Sequence, residues 1–194
     1  MVIILALTVV VLTTWGFFLF NRNLILGIER PNTASWNLWV LFTLVNSSSY
    51  FSMNGDWIKL ALPGIDFLLC VVTWLVILIW GHFSWPPKRD WVAIAITLGA
   101  LFIWKFSSAI YANLFVQVAL IVSFIPCVMD SWEGKIKTKP WIFWTLSHLL
   151  NLVLVGIRNG SWVDLFYPSV SVILHSLVVI FSWYSPKKEV FELA

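Results

Sequence analysis

The 194-residue chain is 60% hydrophobic and only 11% charged, against roughly 45–50% apolar and about 25% charged in soluble domains, and its mean hydropathy is +0.91. That balance excludes a soluble enzyme domain, a disordered chain, a disulfide-stapled secreted module and a nucleic-acid binder. The formal charge of +3 reads as the orientation signal of a membrane protein, because the basic residues stand in short loops between apolar runs.

A transmembrane helix needs about 20 mostly apolar residues, and seven such runs follow in chain order: 2–20, 36–53, 60–81, 91–107, 110–129, 141–157 and 164–184. The first lacks a basic leader and matches an internal span, so it reads as helix 1 rather than a signal peptide. Polar, turn-rich segments separate the runs: Asn21 to Ser35, Asn54-Gly55-Asp56, His82 to Asp90 with Pro86-Pro87, Ser107-Ser108, Asp130 to Pro140, and Arg158 to Ser161. Seven spans place the chain ends on opposite sides. Arg22, Arg30, Lys88, Arg89, Lys135, Lys137, Lys139, Lys187 and Lys188 then share one side, against Lys59, Lys105 and Arg158 on the other. The asymmetry predicts an outside N-terminus and a cytoplasmic C-terminus. Cys70 and Cys127 fall inside apolar runs and read as small hydrophobes, with no disulfide or metal site expected.

Sliding the chain along itself by 105 residues aligns Thr33 with Thr138, Trp36 with Trp141, Trp39 with Trp144 and Asn46 with Asn151, without a gap. Asn54-Gly55 with Asn159-Gly160, Trp57 with Trp162 and Pro63 with Pro168 complete the series. Chance coincidence of Trp is cheap in a chain with 14 of them, but Asn, Gly and Pro in the same register are not. The offset maps helices 1–3 onto helices 5–7 and leaves helix 4 unpaired. A three-helix unit ends on the side opposite its start, so one extra span is needed before a second unit of the same orientation. The expected architecture is all-α: residues 1–81 as a first three-helix bundle, 82–109 as linker helix 4 with its loops, 110–185 as a second bundle and 186–194 as a cytoplasmic tail. The two bundles form a parallel 3+1+3 arrangement.

Polar residues inside spans are costly and usually face the protein interior. Trp144, His148 and Asn151 are spaced i, i+4, i+7 and make one helical stripe, matched in helix 2 by Trp39, Thr43 and Asn46. At ~1.5 Å per residue, Asn46 and Asn151 lie about 15 Å in from Trp36 and Trp141, near the midplane. Asp66 and Ser171 reach a similar depth from Trp57 and Trp162. Asn46, Asp66, Asn151 and Ser171 are therefore expected to line one central cavity, with Trp39 and Trp144 on its cytoplasmic side and Thr43 and His148 beside them. Asp66 is the one carboxylate well inside a span and needs a partner or a proton; it and His175 are the candidates for proton linkage, and Gln117 is a secondary lining residue. Trp57, Trp85, Trp162 and Trp183 read as interfacial anchors.

Ile125-Pro126-Cys127 at the end of helix 5, the basic loop Gly134-Lys135-Ile136-Lys137-Thr138 and the Trp141/Trp144 pair opening helix 6 resemble the SWEET and PQ-loop superfamily, whose fold the bacterial nicotinamide riboside transporters share. The W-x2-W spacing is also similar to that of the vitamin transporters. The resemblance implies a seven-helix transporter working by alternating access, and a hinge role for Pro126, Pro63 and Pro168. The function expected is facilitative, not ATP-driven, movement of a small polar solute, sugar-like or vitamin- or nucleoside-like. The alternatives are a seven-helix receptor or sorting scaffold on the same fold and, less favoured, an intramembrane enzyme using Asp66 with His148 or His175. No nucleophile-base pair, phosphate loop or metal-ligand spacing is visible. The partners this reading requires are the solute and the lipid bilayer, without cofactor, metal or nucleic acid, and with a homo-oligomer left open.

Overall fold

The computed structural model describes residues 1–29, 33–80 and 88–185, apart from the side chains of residues 33–35, 54, 88–90 and 93. The expectations for Arg30, for Trp85 and Pro86-Pro87, and for the tail 186–194 lie outside the described residues. Seven helices follow in order: α1 (Val2–Ile25), α2 (Thr33–Asn54), α3 (Ala61–Trp80), α4 (Lys88–Phe106), α5 (Ala109–Trp132), α6 (Thr138–Ile157) and α7 (Trp162–Trp183). Most run past the apolar segments that announce them, as α1 does through Asn21-Arg22-Asn23 and α5 through Asp130-Ser131-Trp132, because backbone hydrogen bonding continues into the polar interface.

Local chemistry sets the ends. Ser108 caps α5 by accepting from the Tyr111 amide, and Ser161 and Asp164 form a reciprocal capping box at the start of α7. The repeated Asn-Gly pair terminates helices. Gly55 turns with φ +60° after α2, whereas after α6 the left-handed residue is Asn159 at φ 53°, one place earlier in the pair.

Five helices are long and apolar enough to cross a membrane: α1, α3, α5, α6 and α7. The other two fall short for different reasons. α4 has charged ends, and its apolar stretch is Ile94–Phe106. α2 carries Asn37, Thr43, Asn46 and Ser47-Ser48-Ser49 in its middle, yet Thr43, Asn46, Ser47 and Ser49 are all buried. Its polarity is turned inward.

Packing explains how that is possible. α1 contacts α6, α6 contacts α7, α7 contacts α5, α5 contacts α2, α2 contacts α3, and α3 returns to α1. Six helices thus close a ring, and α4 lies outside it against α5 and α2. The outer surface is apolar, with Ile3, Leu68, Phe102, Ile173 and Ile180 exposed on it, as suits helices able to span a membrane. Trp57, Trp162 and Trp183 are also exposed, while Trp36 and Trp141 are buried in the core. These last two therefore mark packing rather than the membrane interface.

One seam of the ring depends on a missing side chain. A Cβ on Gly16 of α1 would stand 2.7 Å from Trp144 Nε1 and 3.2 Å from the Pro140 carbonyl oxygen of α6. The small residue lets the two backbones approach around the Trp144 ring. Gly16→Val should therefore cost about 1–3 kcal/mol through overpacking and lower the melting temperature in detergent, whereas Gly64→Ala, which meets only the flexible end of Leu60 at 3.6 Å, should change it little. Equal melting temperatures for the two variants would show that the seam is not close-packed.

Candidate functional site

Asp66 is buried in α3, and its partners come from the other side of the ring. The Tyr167 hydroxyl of α7 donates to Asp66 Oδ2 at 2.9 Å, and His148 Nε2 of α6 stands 3.6 Å from the same oxygen and 3.4 Å from the Tyr167 hydroxyl. The His148 ring stacks on His175 with centroids 4.5 Å apart. His148 Nδ1 lies 2.8 Å from the Trp144 carbonyl, and His175 Nδ1 lies 2.8 Å from the Ser171 carbonyl. A carbonyl only accepts, so both Nδ1 atoms carry hydrogen, and Nε2 of a neutral ring is a bare acceptor. Tyr167 has one hydroxyl hydrogen for two acceptors, Asp66 Oδ2 and His148 Nε2. A further proton between those two atoms would satisfy both, which makes the trio a place where one proton can be held or passed.

This cluster borders a cavity of about 30 Å³ whose walls include Phe17 of α1, Trp39, Phe42 and Thr43 of α2, Asp66 and Cys70 of α3, Leu120 and Phe124 of α5, Trp144 and His148 of α6, and Tyr167, Ser171 and His175 of α7. Every helix of the ring contributes. The volume holds one or two waters. The indole N–H groups of Trp39 and Trp144 are buried without a hydrogen-bond acceptor among the described residues.

Of the residues singled out in the sequence, Asp66, Ser171, Trp39, Trp144, Thr43, His148 and His175 meet at this cavity. Asn46 and Asn151 do not line it. Asn46 faces α5, where its side-chain oxygen accepts from Gln117 Nε2 at 2.8 Å and Asn113 Nδ2 at 3.1 Å. Gln117 is spent on that contact. Asn151 is fully buried, and neither atom of its amide has a partner among the described residues. The i, i+4, i+7 spacing puts Asn151 on the His148 face, yet only Trp144 and His148 of that stripe reach the cavity wall. Among the prolines, Pro126 lies inside α5 and Pro168 inside α7. Pro63 falls in the first turn of α3, where its missing N–H has no helical partner to lose.

Sequence reasoning missed Tyr167 and Cys70. Tyr167, Ser171 and His175 are spaced i, i+4, i+8 on one face of α7, and that pattern was available; Tyr167 escaped notice because Leu62 stands 105 residues before it.

Two sets of contacts flank the cavity. At one end Lys59 pairs with Asp164 at 3.0 Å, both buried, and Arg158 donates to Asp56 at 2.8 and 3.1 Å. Burial raises the Asp56 carboxyl, but Arg158 together with the Ile58 and Lys59 amides outweighs it and holds the group below its ordinary range. Tyr50 of α2 donates to the Asp164 carbonyl at 3.0 Å, the very carbonyl left without its helical donor by Pro168. The other end is filled by rings: Trp39 stacks on Phe124 at 5.1 Å, Trp141 meets Trp144 edge-on at 5.0 Å, and Phe17 meets Trp144 at 4.9 Å. Beyond them the Lys137 amide donates to Glu29 Oε1 at 2.8 Å, tying the α1–α2 loop to the start of α6.

No protein-family model, curated protein or solved structure matches the chain. Among the described residues, no group of three or more His, Cys, Asp and Glu side chains is arranged to hold a metal.

Glu29 yields a test by pH. Burial pushes its carboxyl up to about 7, against the Lys137 amide and charge and Asn23, which pull it down. The folded value lies above the ordinary 4.5, so the folded state binds the proton more tightly. The contribution is complete below about pH 4.5 and is lost as pH rises through about 7, at most about 3 kcal/mol. The melting temperature of the wild type should fall between about pH 5 and about pH 8 by more than that of Glu29→Gln, which stays neutral. Parallel profiles would show that the Glu29 contact does not govern this end of the molecule.

Proposed function

We propose that the chain is a small membrane transporter, similar to the SWEET and PQ-loop superfamily, that moves a polar, uncharged, sugar-like or vitamin- or nucleoside-like solute by alternating access without ATP. The observation that carries this reading is the polar lining of the central cavity: a carboxyl, two imidazoles and several hydroxyls are gathered where six apolar-faced helices meet, flanked by a buried ion pair on one side and a layer of rings on the other. Polar groups are expensive in a membrane interior and are retained there chiefly for passage or binding. Solute sites are roughly 300–1,000 Å³, so the present chamber is a contracted state whose walls part to admit a solute.

The packing pattern supports a 3+1+3 organisation. Exchanging α1, α2 and α3 for α5, α6 and α7 turns each ring contact into another: α1 with α3 becomes α5 with α7, α2 with α3 becomes α6 with α7, and α1 with α6 becomes α5 with α2. Two like-oriented units around an axis through the chamber, with α4 as connector, account for that permutation. Lys59 and Asp164 are themselves 105 residues apart, so the buried ion pair joins corresponding positions of the two units. The loop charges favour an outside N-terminus, which makes the ion pair the external flank and the aromatic layer the cytoplasmic one.

In this scheme the solute stacks against the Trp39 and Trp144 faces and takes hydrogen bonds from the Asp66, Tyr167 and His148 group. Uptake by proteoliposomes of a panel of labelled sugars, nucleosides and vitamins is the direct test. At least one compound should be carried, and Asp66→Asn and Tyr167→Phe should each slow its uptake tenfold or more. A single cysteine at Ser171 should be reached by an impermeant thiol reagent from the external side more readily once Lys59→Met and Asp164→Leu together remove the buried pair. If no solute is carried and that cysteine is never reached from either side, the transporter reading fails.

A further inference from the structure

A second, larger cavity lies away from the chamber, where the end of α1, the start of α6 and the end of α7 come together. It is a groove of about 540 Å³ on the basic end of the molecule, with Arg22, Lys137 and Lys139 on its wall. All three side chains are exposed, and none forms an ion pair or side-chain hydrogen bond among the described residues. Lys135, by contrast, is already committed to Asp130 and Glu133. Leu19, Ile136 and Ile142 line the same groove, so one cavity combines cationic groups with an apolar strip. Leu19 and Ile142 belong to helices whose neighbouring surface is lipid-facing.

We infer that this groove is a binding site for the phosphate headgroup of an anionic phospholipid, with Arg22, Lys137 and Lys139 around the phosphate and an acyl chain along Leu19 and Ile142. The charge complement is the argument. Arg22, Lys137 and Lys139 give the groove wall a positive excess that the one acid acting on Lys137, Glu29, offsets only in part, and an anion shared among the three would complete the balance. The orientation signal of the loops requires only that basic residues be on this side, and single exposed positions would satisfy it; it does not require them to converge on a groove between transmembrane helices. The apolar strip distinguishes a lipid from a free phosphate, which would have no use for Leu19 and Ile142. Because the groove is shared by α1 and by α6 with α7, a lipid seated there bridges the two proposed halves on the side opposite the buried ion pair.

The test is made on the full chain, purified and delipidated in neutral detergent and titrated with phosphatidylglycerol or phosphatidylcholine, bound lipid being counted by native mass spectrometry. Phosphatidylglycerol should bind at least tenfold more tightly than phosphatidylcholine. Each charge near an anionic lipid is worth about fivefold, so Arg22→Gln, Lys137→Gln and Lys139→Gln combined should abolish the preference. Lys137→Gln keeps the backbone N–H that Glu29 accepts. Lys105→Gln, an exposed cation away from the groove, should leave the preference intact, and matching melting temperatures of the triple variant and the wild type establish that it is folded. Inorganic phosphate in millimolar excess should fail to displace the phosphatidylglycerol. Equal affinity for the two lipids, or an undiminished preference in the triple variant, overturns the inference, and displacement by inorganic phosphate overturns the lipid assignment in favour of a free anion. No solute enters these measurements, so their failure is separate from any failure of the transport reading.

Discussion

Inside a bilayer a polar side chain has no water to turn to, so it must find a partner in the protein or a hydrated space within it. α2 shows what that constraint does to the rest of the molecule. It carries the most polar middle segment of the seven helices, and among its described side chains only Leu44 and Ser52 are exposed. A helix of that kind cannot sit at the rim of a bundle. It is covered by α3, α5 and α4 together, and the position of α4 outside the ring follows from the same need. α4 shields the junction of α2 and α5, where Asn46, Ser49, Asn113 and Gln117 exchange hydrogen bonds.

The same constraint separates two uses of buried polarity. The group on α2 and α5 is amide to amide, neutral, and set between two neighbouring helices, which is the arrangement of interhelical glue. The group around Asp66 is different in chemistry and in place. It draws one titratable side chain from α3, one from α6 and two from α7, and it borders the chamber rather than a helix pair. Tyr167 supplies Asp66 with a hydrogen-bond donor that carries no charge, so the acid is accommodated without a buried cation.

The helices were legible in the sequence because their signal is additive: about twenty consecutive apolar residues outvote any single exception. Depth was reckoned from rise per residue alone, which put Asn46, Asp66, Asn151 and Ser171 at one level. Azimuth was not legible. Asn46 faces α5 and Asn151 stays off the cavity wall, because a helix in a ring turns one side to the axis and two sides to its flanks, and a periodic stripe does not say which is which. Trp36 and Trp141, the reference points for that depth, are themselves buried, and their contacts with Phe17, Phe20, Trp39 and His175 show that these rings fill the core.

The two seams of the ring are unequal, and the inequality bears on motion. Between α2 and α5, Asn46 is met by Asn113 and Gln117. The positions 105 residues before these two are Thr8 and Leu12, and Thr8 spends its hydroxyl on the Ile4 carbonyl of its own helix. Among the described residues Asn151, the counterpart of Asn46, has an unpaired amide, and the side-chain oxygens of Asn113 and Gln117 are unpaired as well, each at a cost of about 1–3 kcal/mol. The α1–α6 seam is thus held by close packing at Gly16 and Trp144 and lacks the polar clasp and the α4 cover of the other. Close-packed apolar contacts slide or part without leaving a broken hydrogen bond behind, and Asn151 gains by any rearrangement that offers it a partner.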